Sequence, residues 1–209
     1  MGSEMCIRDR VNTIQQYGEK ALDKLRGMFG FAVWNEKEQT LMLARDFFGI
    51  KPVYYAEIDG HFVFASEIKS ILAFPGYERK VNQKALEQYL SFQYAPLEET
   101  FFKGIYKLMP GHMLLYKNGN YEIKTYFKTK LTPGKWNRTT NMDQLRSQLA
   151  EILKDSVKHH MLSDVEVGAF LSGGVDSGYL ASASGADQAF TVGFDEGDRY
   201  LSLIHISEP

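Results

Sequence analysis

Apolar and aromatic residues fall in short runs early in the chain and in helical stripes later. Ala21-Leu22-Asp23-Lys24-Leu25 reads as the end of a helix closed by Arg26-Gly27. Four apolar runs follow, at 28–34, 40–44, 53–56 and 62–65. The polar turn sequences Asn35-Glu36-Lys37-Glu38 and Ile58-Asp59-Gly60 lie within the two pairs. Short apolar runs punctuated in this way predict antiparallel strands joined by hairpins. Residues 67–74 read as a short helix stopped by Pro75-Gly76.

Asn82 is a good cap for a helix over 83–92, with Leu86, Tyr89 and Leu90 on one face. Residues 101–108 lead into the Pro110-Gly111 turn. Strands at 112–116 and 121–127 flank the hairpin signal Asn118-Gly119. From 142 onward Leu145, Leu149, Ile152, Leu153 and Val157 recur at helical spacing, and that helix ends near 162. A strand over 166–171, a loop over 172–177, a helix starting at 178–183 and a second buried strand over 190–194 complete the pattern. Strand, glycine loop, helix, strand is the opening of a parallel α/β sheet.

Composition adds exclusions rather than an activity. Apolar residues are 44% and charged residues 24% of the 209, ordinary for a globular chain of one or two small domains. The net charge of −2 supplies no electrostatic footprint for nucleic acid. No apolar run reaches the ~20 residues that span a bilayer, and the start has no secretory pattern. Cys6 is the lone cysteine, and the five histidines show no zinc spacing. The expectation is a cytoplasmic protein with small-molecule partners, without nucleic acid or membrane.

Both ends stand apart from this pattern. Met5-Cys6-Ile7-Arg8-Asp9 and Leu201-Ser202-Leu203-Ile204-His205 can be encoded by one oligonucleotide read on opposite strands. That oligonucleotide resembles a transposase-type sequencing adapter. Residues 1–10 and 201–209 are therefore expected to be adapter-derived, and are set aside from fold reasoning.

The chemistry sits in Phe170-Leu171-Ser172-Gly173-Gly174-Val175-Asp176-Ser177. Two glycines let the backbone turn sharply and approach an anion. Loop N–H groups and the free N–H groups of the next helix face one space. Ser172 and Ser177 add hydroxyl donors. Such a concavity suits pyrophosphate. Asp176 would repel phosphate directly, but it makes sense as a ligand for Mg²⁺ bridging the phosphates. The sequence is neither a GxxxxGK[ST] loop nor a GxGxxG dinucleotide fingerprint.

This loop, with Leu25-Arg26-Gly27-Met28-Phe29-Gly30-Phe31-Ala32, Ala44-Arg45-Asp46, Gly49-Ile50-Lys51-Pro52-Val53-Tyr54-Tyr55 and Phe64-Ala65-Ser66-Glu67-Ile68-Lys69-Ser70, resembles the asparagine synthetase B family. Members are class II glutamine amidotransferases fused to an N-type ATP pyrophosphatase domain. The stretches 105–111, Ser163-Asp164-Val165-Glu166-Val167-Gly168 and Phe190-Thr191-Val192-Gly193-Phe194 extend the match. The resemblance implies part of an αββα N-terminal-nucleophile glutaminase domain over 11–77. It further implies a connector with a β-hairpin over 78–140 and the start of a parallel-sheet, adenine-nucleotide α-hydrolase-like synthetase domain over 141–200. It implies ATP and Mg²⁺ as cofactors, and ATP, aspartate and glutamine as partners, with a homodimer left open. ATP and pyrophosphate contacts fall on Leu171, Ser172, Gly173, Gly174, Val175, Asp176, Ser177 and Val192, and the magnesium ligand on Asp176. The implied nucleophilic cysteine follows an initiator methionine upstream; Cys6 does not fit it, and the stretch by itself is expected to be inactive. The implied reaction is aspartate activation as β-aspartyl-AMP with release of pyrophosphate, then displacement of AMP by glutamine-derived ammonia. Relatives acting on a sugar, peptide or β-amino acid acceptor, or a non-catalytic relative, are the alternatives. Gly185-Ala186-Asp187 is shorter than the family leads one to expect.

Other residues carry blander expectations. Arg45 and Asp46 read as an ion pair or turn cap fixing the bend at 49–52. Glu67 caps a helix, and His159-His160 lie at a helix C-terminus where positive charge is favourable. Phe29, Phe31, Trp34, Tyr54, Tyr55, Phe62 and Phe64 read as core between sheets.

Overall fold

Alternation along two strands sets the layering of the first part of the molecule. The computed structural model describes residues 4–130, 141–163 and 165–192. The chain divides into two units, Met1–Leu131 and Thr132–Pro209.

In the first unit β1 (Gly30–Asn35), β2 (Thr40–Arg45), β3 (Tyr54–Ile58), β4 (His61–Ala65), β5 (Ile105–Lys107), β6 (His112–Lys117) and β7 (Asn120–Thr125) form two antiparallel sheets. Their strand orders are β1-β2-β6-β7 and β4-β3-β5. On β2, Leu41 and Leu43 face the second sheet and pack with Val53, Tyr55, Leu108 and Leu114. Met42 and Ala44 face the other way, toward Leu22, Phe29 and Met113. The period of two thus gives β2 two buried faces. Leu22 belongs to a 3₁₀ helix (Gly18–Lys24) that follows α1 (Glu4–Tyr17), and Ile14 of α1 covers the same cluster. On the far side, α2 (Ile68–Leu72) buries Ile71 against Ala56, Ile58 and Ile105. The order is helix, sheet, sheet, helix.

The hairpins follow their turn residues. Asp59 and Gly60 (φ 48° and 76°), and Asn118 and Gly119 (φ 51° and 79°), are all left-handed. This primed-turn geometry matches strand twist. The longer β1–β2 turn is tied by Asn35 Oδ1, which accepts from Lys37 N at 3.1 Å and Glu38 N at 3.2 Å.

Several expectations change. The stretch 78–140, read as a connector with a β-hairpin, contains that hairpin as β6 and β7, but as far as residue 130 it also supplies strand β5 beside β3 and sets β6 beside β2. The pairing needs of β2 and β3 draw these residues into the sheets. Helix α3 (Gln83–Phe92) starts at Asn82, whose side chain accepts from Ala85 N. Its Leu86, Tyr89 and Leu90 stay 40–74% exposed, and Ala85 is the buried position. Trp34 and Phe64, expected in the core, are 51% and 42% exposed, because each lies on an edge strand of its sheet. Glu67 holds the N-cap position of α2 but makes no side-chain cap bond. Its carboxylate pairs with Lys69 instead.

The second unit contains α4 (Met142–His160), β8 (Ala169–Phe170), α5 (Val175–Ser184) and β9 (Ala189–Phe190). Asn141 caps α4 through Asp143 N and Gln144 N. At its other end the rings of His159 and His160 bond the carbonyls of Asp155 and Ser156. β8 and β9 pair in parallel, as the strand–loop–helix–strand pattern requires. Both strands are shorter than expected and neither is buried: Phe170 is 80% and Phe190 52% exposed. Two paired residues cannot shield a face without a covering layer. Residues 193–194, the rest of the expected second strand, lie outside the described residues, as do Asp164 and the ends 1–3 and 201–209. Residues 4–10 open α1. No described helix is long and apolar enough to cross a membrane.

Candidate functional site

The loop after β8 is built by short-range bonding. Leu171 N donates to Phe190 O at 2.8 Å and Ala169 N to Gln188 O at 2.9 Å, which places Leu171 and Val192 just past the carboxyl ends of two parallel strands. Ligands of open α/β sheets bind at that edge. Gly168 lets the strands close up, because a Cβ there would lie 2.4 Å from Phe190 Cε2. Gly173 takes φ +76°, a conformation that side chains resist. Gly174 is the extended N-cap of α5 (φ −77°, ψ 157°).

Helix α5 therefore starts at Val175, three residues before the expected position. Val175, Asp176 and Ser177 form its first turn, where N–H groups have no acceptor within the helix. Once Gly174 is extended, nothing in the three following residues resists helical geometry. Val175 is 89% exposed and Val192 69%. Asp176 is exposed and makes no hydrogen bond or ion pair with another described residue. Residues 171–178 contain no Lys or Arg, so the attraction for an anion comes from backbone dipoles.

The two hydroxyls differ from the expectation of free donors. Ser177 Oγ lies 3.2 Å from Ser172 N, 3.0 Å from Gly174 O and 3.0 Å from Ser172 Oγ. Both side chains are engaged inside the loop. The sequence motif names the residues but not this internal bonding.

Among residues 171–178, Asp176 is the one carboxylate that could serve as a donor to Mg²⁺. Among the described residues no group of three or more His, Cys, Asp or Glu could hold a metal ion. A single free carboxylate fits Mg²⁺ carried mainly by phosphate oxygens and water.

Arg45 and Asp46 form a second polar centre in the first unit. Asp46, 1% exposed, accepts from Phe29 N at 3.2 Å and Lys51 N at 2.9 Å on one oxygen. Its other oxygen accepts from Phe48 N at 3.2 Å and Ile50 N at 2.9 Å. Arg45 donates to Lys51 O at 2.9 Å, Leu108 O at 2.7 Å and Gly49 O at 2.6 Å. Together they fix the bend at 49–52, and the turn-cap reading describes them. Burial lowers the Arg45 pKa against the raising effect of Tyr54 and Asp46. Tyr126, which the sequence does not flag, donates its hydroxyl to Arg45 O across 81 residues. Burial, then Asp46, push its phenol above the ordinary range.

The glutamine amidotransferase domain family matches residues 10–127, and the asparagine synthase family matches 148–203. "Asparagine synthetase [glutamine-hydrolyzing] 1" of Bacillus subtilis is 40% identical over 189 residues, covering 88% of this chain and 29% of that protein. "Asparagine synthetase [glutamine-hydrolyzing] 3" of the same organism is 30% identical, covering 89% of this chain and 31% of that protein. "Amidase chyE" of Penicillium rubens is 33% identical, covering 80% of this chain and 24% of that protein. The chain thus spans under a third of the length of these relatives. Among solved structures, a B. subtilis glutamine phosphoribosylpyrophosphate amidotransferase covers 91% of this chain and 40% of its own. Its TM-score is 0.37 and its identity 16%, a likeness too slight to bear on the fold.

Proposed function

The chain belongs to the glutamine amidotransferase domain family, and from that premise we propose that the whole protein is a glutamine-dependent asparagine synthetase. One observation carries the reading. An amidotransferase unit is followed in the same chain by an SGGVDS loop between a parallel strand and a helix, with left-handed Gly173 at its turn.

In this reading residues 171–177 and Val192 hold ATP. The backbones of Leu171 and Val192 contact the nucleotide. N–H groups of the loop and the first turn of α5 bind the β and γ phosphates, where their charge stabilisation counts most as pyrophosphate departs. The aspartate carboxylate attacks the α-phosphorus, giving β-aspartyl-AMP, and ammonia from glutamine hydrolysis displaces AMP. Mg²⁺, when bound, neutralises charge on the leaving group, and Asp176 is the residue that would hold it. The first unit is read as part of an αββα N-terminal-nucleophile glutaminase domain. Its helix–sheet–sheet–helix order supports that reading. The second unit is read as the opening of an adenine-nucleotide α-hydrolase-like sheet. The setting proposed is the cytoplasm, with ATP, aspartate and glutamine as partners.

The match to an amidase supports a second reading, an amidotransferase of the same build with a different carboxylate acceptor. Incubating the full-length protein with Mg-ATP, glutamine and a panel of carboxylates separates the two. Asparagine formed from aspartate supports the first reading. An amide formed only on another acceptor supports the second.

A further inference from the structure

We infer that Gly168 is a positioning residue for the nucleoside part of ATP: the Phe190 ring folds over its bare Cα, and that contact sets the gap between the backbones of Leu171 and Val192. The inference rests on the reading of residues 171–177 and Val192 as an ATP site. It deepens that reading by separating what holds the nucleoside from what holds the pyrophosphate.

Glycine at 168 answers a need for space and not for an unusual backbone. Unlike Gly173, it lies outside the left-handed region, so other residues could adopt its conformation. A Cβ there would fall inside contact distance of Phe190 Cε2, 3.0 Å from Phe190 Cδ2 and 3.3 Å from the Gln188 carbonyl oxygen. Phe190 pairs with Phe170, yet its ring reaches back to the level of Gly168, toward the amino ends of the strands. The ring therefore points away from the edge where Leu171 and Val192 lie.

The same contact guards the bonds between the strands. The Gln188 carbonyl accepts from Ala169 N at 2.9 Å, and the Phe190 carbonyl accepts from Leu171 N at 2.8 Å. A side chain at 168 would press on the first of these carbonyls and on the side chain of the residue that carries the second. The half-exposed Phe190 ring would have to give way. Forward along the strands it meets Phe170, whose ring centre is 6.4 Å away on the side of the nucleotide. The donors at 173–177 belong to the turn and to the first turn of α5, so they do not depend on how β9 sits. Disturbing Gly168 should thus cost nucleoside binding and spare pyrophosphate binding.

Binding of Mg-ATP and of Mg-pyrophosphate to the full-length protein tests this. Gly168→Ala should weaken Mg-ATP about fivefold or more, the effect of one overpacked methyl group, and leave Mg-pyrophosphate within about twofold. Adding Phe190→Ala removes the obstruction, so the double variant should bind Mg-ATP more tightly than Gly168→Ala alone. Equal losses for both ligands, an unchanged affinity for Mg-ATP, or a double variant no better than Gly168→Ala each overturn the inference. If the unaltered protein binds neither ligand, the reading of the site falls, and amide exchange at Leu171 in the nucleotide-free protein decides the contact by itself. That exchange should be about tenfold faster in Gly168→Ala, as for one lost hydrogen bond, and recover in the double variant. An unchanged rate in Gly168→Ala overturns the contact.

Discussion

Replacing Asp46 by Asn changes one atom in a buried site and should cost more than most single substitutions. Each carboxylate oxygen accepts two backbone N–H groups: Oδ1 from Phe48 and Ile50, Oδ2 from Phe29 and Lys51. The side chain is 1% exposed, so water cannot take over. Asparagine keeps one oxygen and turns an NH₂ group toward the other two donors. Each buried donor left without an acceptor costs about 1–3 kcal/mol, so the expected loss is about 2–6 kcal/mol. Asp46 O also accepts from Gly49 N at 3.1 Å and Gly111 N at 2.9 Å, so disturbing the side chain reaches the turn before β6. Urea unfolding of the full-length protein measures the loss, and native-state exchange at Phe48, Ile50 and Lys51 locates it. A change under about 0.5 kcal/mol, the range of surface substitutions, refutes the claim that this carboxylate organises the bend.

Three further outcomes follow from the same geometry. Arg45→Lys gives up a planar fork that serves three carbonyls, which one ammonium cannot match; the loss should be about 1–3 kcal/mol in urea unfolding. Tyr126 has its folded pKa raised by burial above the ordinary 10.0, so above pH 10 the unfolded chain releases a proton that the folded chain retains. The stability from this shift is whole below pH 10 and falls as pH rises beyond it. Tyr126→Phe should lower stability by about 0.5–1.5 kcal/mol at neutral pH through the bond to Arg45 O, yet flatten the alkaline loss in a pH series of melting curves. Asp176→Asn should lower stability by no more than about 1 kcal/mol, the loss of one carboxylate from the first turn of α5, while raising the Mg²⁺ concentration needed for half-maximal pyrophosphate release about tenfold or more.

Local signals in the sequence located most of the first unit. Asn118-Gly119 and Asp59-Gly60 mark hairpins because few other residues accept two successive left-handed positions. Asn82 marks a helix start because its side chain replaces a missing acceptor. Long-range placement was not legible. Nothing near Ile105 or His112 says that β5 joins β3 or that β6 joins β2, so the hairpin at 112–127 was legible as strands while its place in the sheets was not. Nothing near Tyr126 points to Arg45. Apolar spacing overstated burial at Leu86, Leu90, Ile152 and Phe190, because periodicity reports a face and not what covers it. In the candidate site, the residues of the loop and its glycine turn were legible from the motif and its flanks. The early start of α5 and the closed ring between Ser172 and Ser177 depend on backbone angles and hydroxyl directions that residue types leave open.

The bond broken in ATP tests the account most directly. Phosphorus NMR of the full-length protein turning over Mg-ATP, aspartate and glutamine should show AMP and pyrophosphate appearing in step with asparagine. ADP and inorganic phosphate as the products would mean that the loop at 171–177 does not hold pyrophosphate as a leaving group, and the proposed function would fall.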